Sequence, residues 1–204
     1  RRVATRPEGG APWLPFVIAA LTLTLLVGAA TGAYDLWNLR VVGRALPLDH
    51  RRVHGLAQLF GFVGLFTVGV SLHLAPRFFG QPLPPVRMVR ALQVATISGV
   101  VLTVIGRLGA LVPGSTYLGL AGSALLLVSL TAWAEWVWRM WRATRGLHGP
   151  MHHFLAAGAA WFALGGVTLF AWQLGQTWGG PLLRVPLEAV YAPVLFGGGA
   201  AWRR

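Results

Sequence analysis

PWLPFVIAALTLTLLVGAATGA, Pro12 to Ala33, runs without a single charged side chain. A helix rises about 1.5 Å per residue, so about 20 apolar residues cross the ~30 Å hydrocarbon core of a bilayer. This stretch is therefore predicted to be a transmembrane helix. Working outward, four further apolar runs follow: His54–Pro76, Val89–Val112, Thr116–Trp138 and His152–Gln173. Leu187–Trp202, short and rich in Gly, reads as the start of a sixth. Polar, Pro- or Gly-bearing connections separate them, such as GQPLPPVR (Gly80–Arg87) and PGS (Pro113–Ser115). The predicted fold is an all-α polytopic membrane bundle, one membrane domain over 1–204, with five complete spans and a truncated sixth.

Composition agrees with that reading. Hydrophobic residues make up 55% of the chain and charged residues 11%, where a soluble domain carries about 25% charge. All 17 basic residues are Arg, and the net charge is +12. A nucleic-acid footprint is a basic face on a soluble fold. Here the Arg residues punctuate apolar segments instead, so no nucleic-acid partner is expected, and the bilayer itself is the partner. With the N-terminus on the cytoplasmic side, Arg1, Arg2, Arg6, Arg77, Arg87, Arg90, Arg139, Arg142, Arg145, Arg203 and Arg204 share that side. Arg40, Arg44, Arg51, Arg52, Arg107 and Arg184 lie opposite. The positive-inside rule then favours N-in, in a bacterial inner (cytoplasmic) membrane. The polar stretch holding Asp35, Arg40, Arg44 and Asp49 reads as the first loop. The tail WAEWVWRMW, Trp133 to Trp141, reads as an interfacial Trp belt.

With no cysteine, thiolate metal sites, iron–sulfur clusters and covalently attached haem are excluded within the chain. The chain begins at Arg1 rather than Met and stops at Arg204 at the end of an apolar stretch. We therefore expect the remainder of a longer chain as a further partner. VHGLAQLFGFVG and VYAPVLFGGGAA suggest a weak internal repeat.

Polar residues inside a membrane are costly and mark candidate sites. They are His54, Gln58, His73, Gln93, Arg107, Glu135, His152, His153, Gln173 and Tyr191. His54 and Gln58 are four apart and share a helical face, with Gly61 close to it. A neutral imidazole beside a Gly-lined surface suits axial ligation of haem iron. It equally suits a hydrogen bond to a neighbouring helix. His73 lies about 28 Å along the axis from His54, too far to share a metal. His73 with His152 or His153 is an allowed metal pair, and all three also read as interfacial residues. Arg51 and Arg52 are suited to carboxylates such as haem propionates. Glu135 is placed to pair with Arg139.

The stretch HRRVHGLAQLFGFVGLFTVGVSLHLAPRFFG, His50 to Gly80, resembles the second helix of subunit I in haem–copper oxidases. It is still more similar to the NnrS family, membrane haem proteins associated with nitric oxide metabolism. The shared pattern is His, a Gln four later, Phe–Gly, and a closing Pro–Arg–Phe. The resemblance covers about 30 residues and implies about twelve spans, with this chain as the N-terminal portion. It implies a haem (iron) cofactor with His54 as ligand and His73 as a second candidate, in nitric oxide response or denitrification. His152–His153 is similar to the paired His of the oxidase copper site, which brings in copper as an alternative metal. No tyrosine stands at the spacing of a cross-linked His–Tyr site, so proton-pumping oxygen reduction is not expected. The alternatives are a cofactor-free transporter or channel-like bundle, with His54, Gln58 and Arg107 lining a polar path, and a membrane anchor subunit. Whether the chain is an enzyme stays open.

Overall fold

A computed structural model describes residues 11, 13–44, 48–109, 113–144 and 149–178. Among the described residues there are five long apolar helices: α1 Leu14–Val42, α2 His50–Phe78, α3 Val86–Leu108, α4 Ser115–Ala143 and α5 Pro150–Trp178. Each is long and apolar enough to cross a membrane, and no strand occurs among these residues. The protein is thus an all-α, multi-pass bundle of membrane type. The predicted sixth span, Leu187–Trp202, and with it Arg184, Tyr191 and the second copy of the suspected repeat, lie outside the described residues.

Four of the five helices run further than the apolar runs that announce them, while α3 begins before Val89 but ends at Leu108, short of the predicted Val112, with Gly109 as its cap. At 29 residues a helix is about 44 Å long, more than the ~30 Å apolar core needs. Hydropathy marks only the part at hydrocarbon depth, while the backbone ladder continues through the charged flanks. Asp35 and Arg40 therefore lie on α1 rather than in a loop, because α1 ends only at Gly43, where φ is +71°. Gly tolerates this left-handed conformation at no steric cost.

The chain threads up and down. The start of α1, the end of α2, the start of α3, the end of α4 and the start of α5 share one end of the bundle, called here the α2–α3 loop end. The other end carries Asp35, His50, His54 and Arg107. α3, α4 and α5 pack side by side in order, while α1 leans on α2 and only touches α3. α2 is the most buried helix.

The core is made of Phe16, Phe60, Leu72, Leu126, Trp133, Leu169 and Trp172, all at most 1% exposed. The outward faces are apolar too: Leu26 of α1 is 72% exposed and Phe154 of α5 is 76% exposed. Such faces are aggregation surfaces in water and lipid-facing surfaces in a bilayer.

The Trp-rich tail of α4 divides. Trp138 is exposed and stacks on Trp141 at 4.6 Å, as an interfacial belt would. Trp133, expected in the same belt, is instead fully buried and donates its indole N–H to Ser71 of α2 at 2.8 Å. Its place on the inward helical face decides this, since an indole N–H buried in hydrocarbon requires an acceptor. Glu135 pairs with Arg139 at 2.8 Å on the outer face of the same helix.

Candidate functional site

α1 and α2 meet through two facing stretches of wide, π-type helix, Thr24–Ala29 and Ala57–Gly64. A π turn holds one more residue per turn than α, so some carbonyls leave the usual i−4 ladder. Such turns recur at functional sites. Here they coincide with the polar residues of the two helices.

His54 and Gln58, one turn apart, project toward Gly32 and Gly28 of α1. A Cβ built on Gly32 would lie 2.7 Å from His54 Cε1, and one on Gly28 2.7 Å from Gln58 Nε2. Two glycines four apart thus form two notches, filled by two side chains four apart on the antiparallel neighbour. The Gln58 Oε1 accepts a hydrogen bond from Thr24 Oγ1 at 2.6 Å. His54 Nδ1 lies 2.7 Å from the Gly28 carbonyl oxygen, which also accepts from Thr31 Oγ1 at 3.1 Å.

A carbonyl oxygen has no hydrogen to give, so His54 Nδ1 must be the donor. The neutral ring then carries its lone pair on Nε2. Among the described residues Nε2 has no hydrogen-bond partner, and His54 is half-buried. An Nδ1–H held by a backbone carbonyl, with Nε2 left as the base, is the arrangement that orients a metal-ligating histidine and raises its basicity.

Gly61 takes a different place from the one expected. It does not border His54. A Cβ there would meet Leu23 of α1 and Val100 of α3, both at 3.4 Å. It is a three-helix contact, not a face open to a flat ligand.

Above this pair, toward the same end, a second polar group sits between α3 and α5. Arg107, 8% exposed, donates to Gln173 Oε1 at 2.6 Å. Its guanidinium lies 3.7 Å from the centre of the Trp172 ring, and that of Arg52 lies 5.2 Å from the same ring. Two cations therefore share one indole, whose electron-rich face stabilises both. Arg51 is exposed and makes no such contact. The Arg107–Gln173 pair is separate from the His54–Gln58 pair, which belongs to α1 and α2.

The remaining histidines lie at the α2–α3 loop end. His152 accepts the Gly149 N–H at Nδ1, 3.0 Å, and donates from Nε2 to the Phe78 carbonyl, 2.9 Å. Both ring nitrogens are engaged, so it straps the start of α5 to the end of α2 and presents no lone pair to a metal. His153 is exposed and meets Trp141 edge-on at 6.1 Å. His73 packs beside Trp13 at 6.0 Å. Among the described residues no group of three His, Asp or Glu side chains comes together as a metal site. At the opposite end His50 Nδ1 and Asp35 Oδ1 are 3.0 Å apart, joining α2 to α1.

Sequence reasoning reached His54 and Gln58 but missed the α1 half of the site: Thr24, Gly28, Thr31 and Gly32. The signal was present, since Gly28 and Gly32 stand four apart in an apolar helix, the spacing of close helix approach. Compared with protein-family models, with curated proteins and with solved structures, the chain gives no match.

Proposed function

We propose that this multi-pass membrane protein binds haem through the Nε2 of His54, in a nitric oxide response or in denitrification, in a bacterial inner membrane with the N-terminus cytoplasmic. The observation that carries the reading is the His54–Gly28 hydrogen bond, which leaves an unpartnered imidazole lone pair on a half-buried side chain between two apolar helices. The residues fit the group at the donor: one histidine whose Nδ1 is engaged by the Gly28 carbonyl, which leaves Nε2 as the ligating atom. They do not offer Gly61 as a resting face for a porphyrin.

Haem, when bound, supplies an iron that binds small diatomic gases. The chain's own part is to hold the imidazole. The Gly28 carbonyl draws on the Nδ1 proton and so strengthens the Nε2 donor. Gln58, anchored on Thr24, keeps α1 and α2 at the separation at which that bond forms. Arg52 and Arg51, at the same end, are of the residue type that pairs with carboxylates.

The test is the absorption spectrum of the natural full-length protein purified from haem-replete cells. Wild type is expected to show a Soret band that His54→Ala abolishes and His73→Ala and His152→Ala retain. A colourless wild type, or a band unchanged in His54→Ala, overturns the reading.

A further inference from the structure

Because α1 leans on α2 and only touches α3, a cleft of about 870 Å³ opens between α1 and α3 at the α2–α3 loop end. Leu14, Ile18 and Thr22 line one wall, and Arg90, Gln93 and Ile97 the other. The lining is overwhelmingly apolar. Arg90, at the loop end, is its one charged residue. The site is distinct from His54, which lies beyond the cleft's floor at Leu23.

We propose that this cleft seats one anionic phospholipid, its acyl chain between α1 and α3 and its phosphate on Arg90. Three observations fit that occupant. The α1 wall from Leu14 to Leu23 is about 14 Å long at 1.5 Å per residue. That is close to one leaflet, half of the ~30 Å hydrocarbon core, the depth an acyl tail reaches from its headgroup. The charge complements it: Arg90 is exposed and has no ion-pair partner among the described residues. A guanidinium pairs with a phosphate in fork geometry, and basic pockets between membrane helices bind acidic headgroups in this way. On the α3 wall the polar groups also follow depth, with Arg90 at the mouth, Gln93 one turn deeper, and only Ile97 and Val101 below; Thr22 of α1 is the one polar residue near the floor.

The experiment uses the full chain in detergent, delipidated and then titrated with phosphatidylglycerol or phosphatidylcholine, with bound lipid counted by native mass spectrometry. Wild type is expected to take up one phosphatidylglycerol per chain with about tenfold preference over phosphatidylcholine, whose phosphate charge is offset by its own choline cation beside the Arg90 guanidinium. Arg90→Gln removes the preference. Arg87→Gln, on a neighbour outside the cleft, keeps it. Ala19→Trp, which fills the cleft, abolishes uptake of both lipids. Equal uptake of the two lipids by wild type overturns the proposal. So does an unchanged preference in Arg90→Gln, or no uptake at all, as would follow if another segment of the chain covered the cleft. Arg90 is an exposed residue whose replacement leaves the core untouched, so its variant decides the matter even if Ala19→Trp fails to fold.

Discussion

His54 is held by a glycine notch and a backbone carbonyl, and Gln58 fills the next notch one turn away. Each has a distinct physical role. Gly32 gives the ring room, the Gly28 carbonyl sets which nitrogen keeps the proton, and the Thr24–Gln58 bond keeps the amide from being left unsatisfied in hydrocarbon. Gly32→Ala places a methyl carbon where only 2.7 Å separates it from the imidazole. Overpacking of this kind costs roughly 1–3 kcal/mol. We expect a melting temperature lowered by several degrees in a detergent thermal scan, whereas Ala29→Val, on the exposed side of the same helix, leaves it unchanged. An unaltered melting point in Gly32→Ala would mean that the ring moves aside freely and is not fixed by α1. His54 and Gln58 were legible as a pair because a polar residue in an apolar run stands out. Their receiving glycines were not, because a small apolar residue in an apolar run carries no contrast.

Among the elements, α3 and α4 come closest. A methyl on Gly106 would lie against the backbone of Gly119, and one on Gly99 would lie 2.9 Å from Leu126 Cγ. Without a hydrophobic driving force between helices in lipid, such close packing is a main source of association. Gly106→Ala is expected to lower the melting temperature and Gly106→Leu to lower it further, with loss of a monodisperse peak in size-exclusion chromatography. Equal stability of all three chains would show that the α3–α4 contact does not limit folding. The existence and order of the five helices could be read directly, since the uncharged runs are long. Their ends could not, because hydropathy falls at the headgroups while the hydrogen-bond ladder continues, as at Asp35 and Arg40. Burial within an element was mixed. Glu135 and Arg139 paired on the outer face as their spacing requires, yet Trp133 turned inward to Ser71 because its helical face, not its residue type, sets its surroundings.

For the whole molecule, orientation is the open coordinate that the sequence addresses through its arginines. Because these 204 residues hold no cysteine, single thiols introduced among them report on it cleanly. With the N-terminus cytoplasmic, Gln81→Cys in the α2–α3 loop should be modified by an impermeant maleimide only after the membrane is opened. Arg44→Cys should be modified in intact cells. The reverse pattern would invert the arrangement. The two π-type stretches carry a further consequence for how this bundle is built. Each extra residue in a turn rotates everything beyond it by about 100° around the helix axis. The upper part of α2, with His54, and the lower part, with Ser71, are therefore clocked independently toward α1 and α4. A length change of one residue between them would act like slipping a gear by a tooth: every contact below it could persist while the imidazole swung out of its notch into lipid.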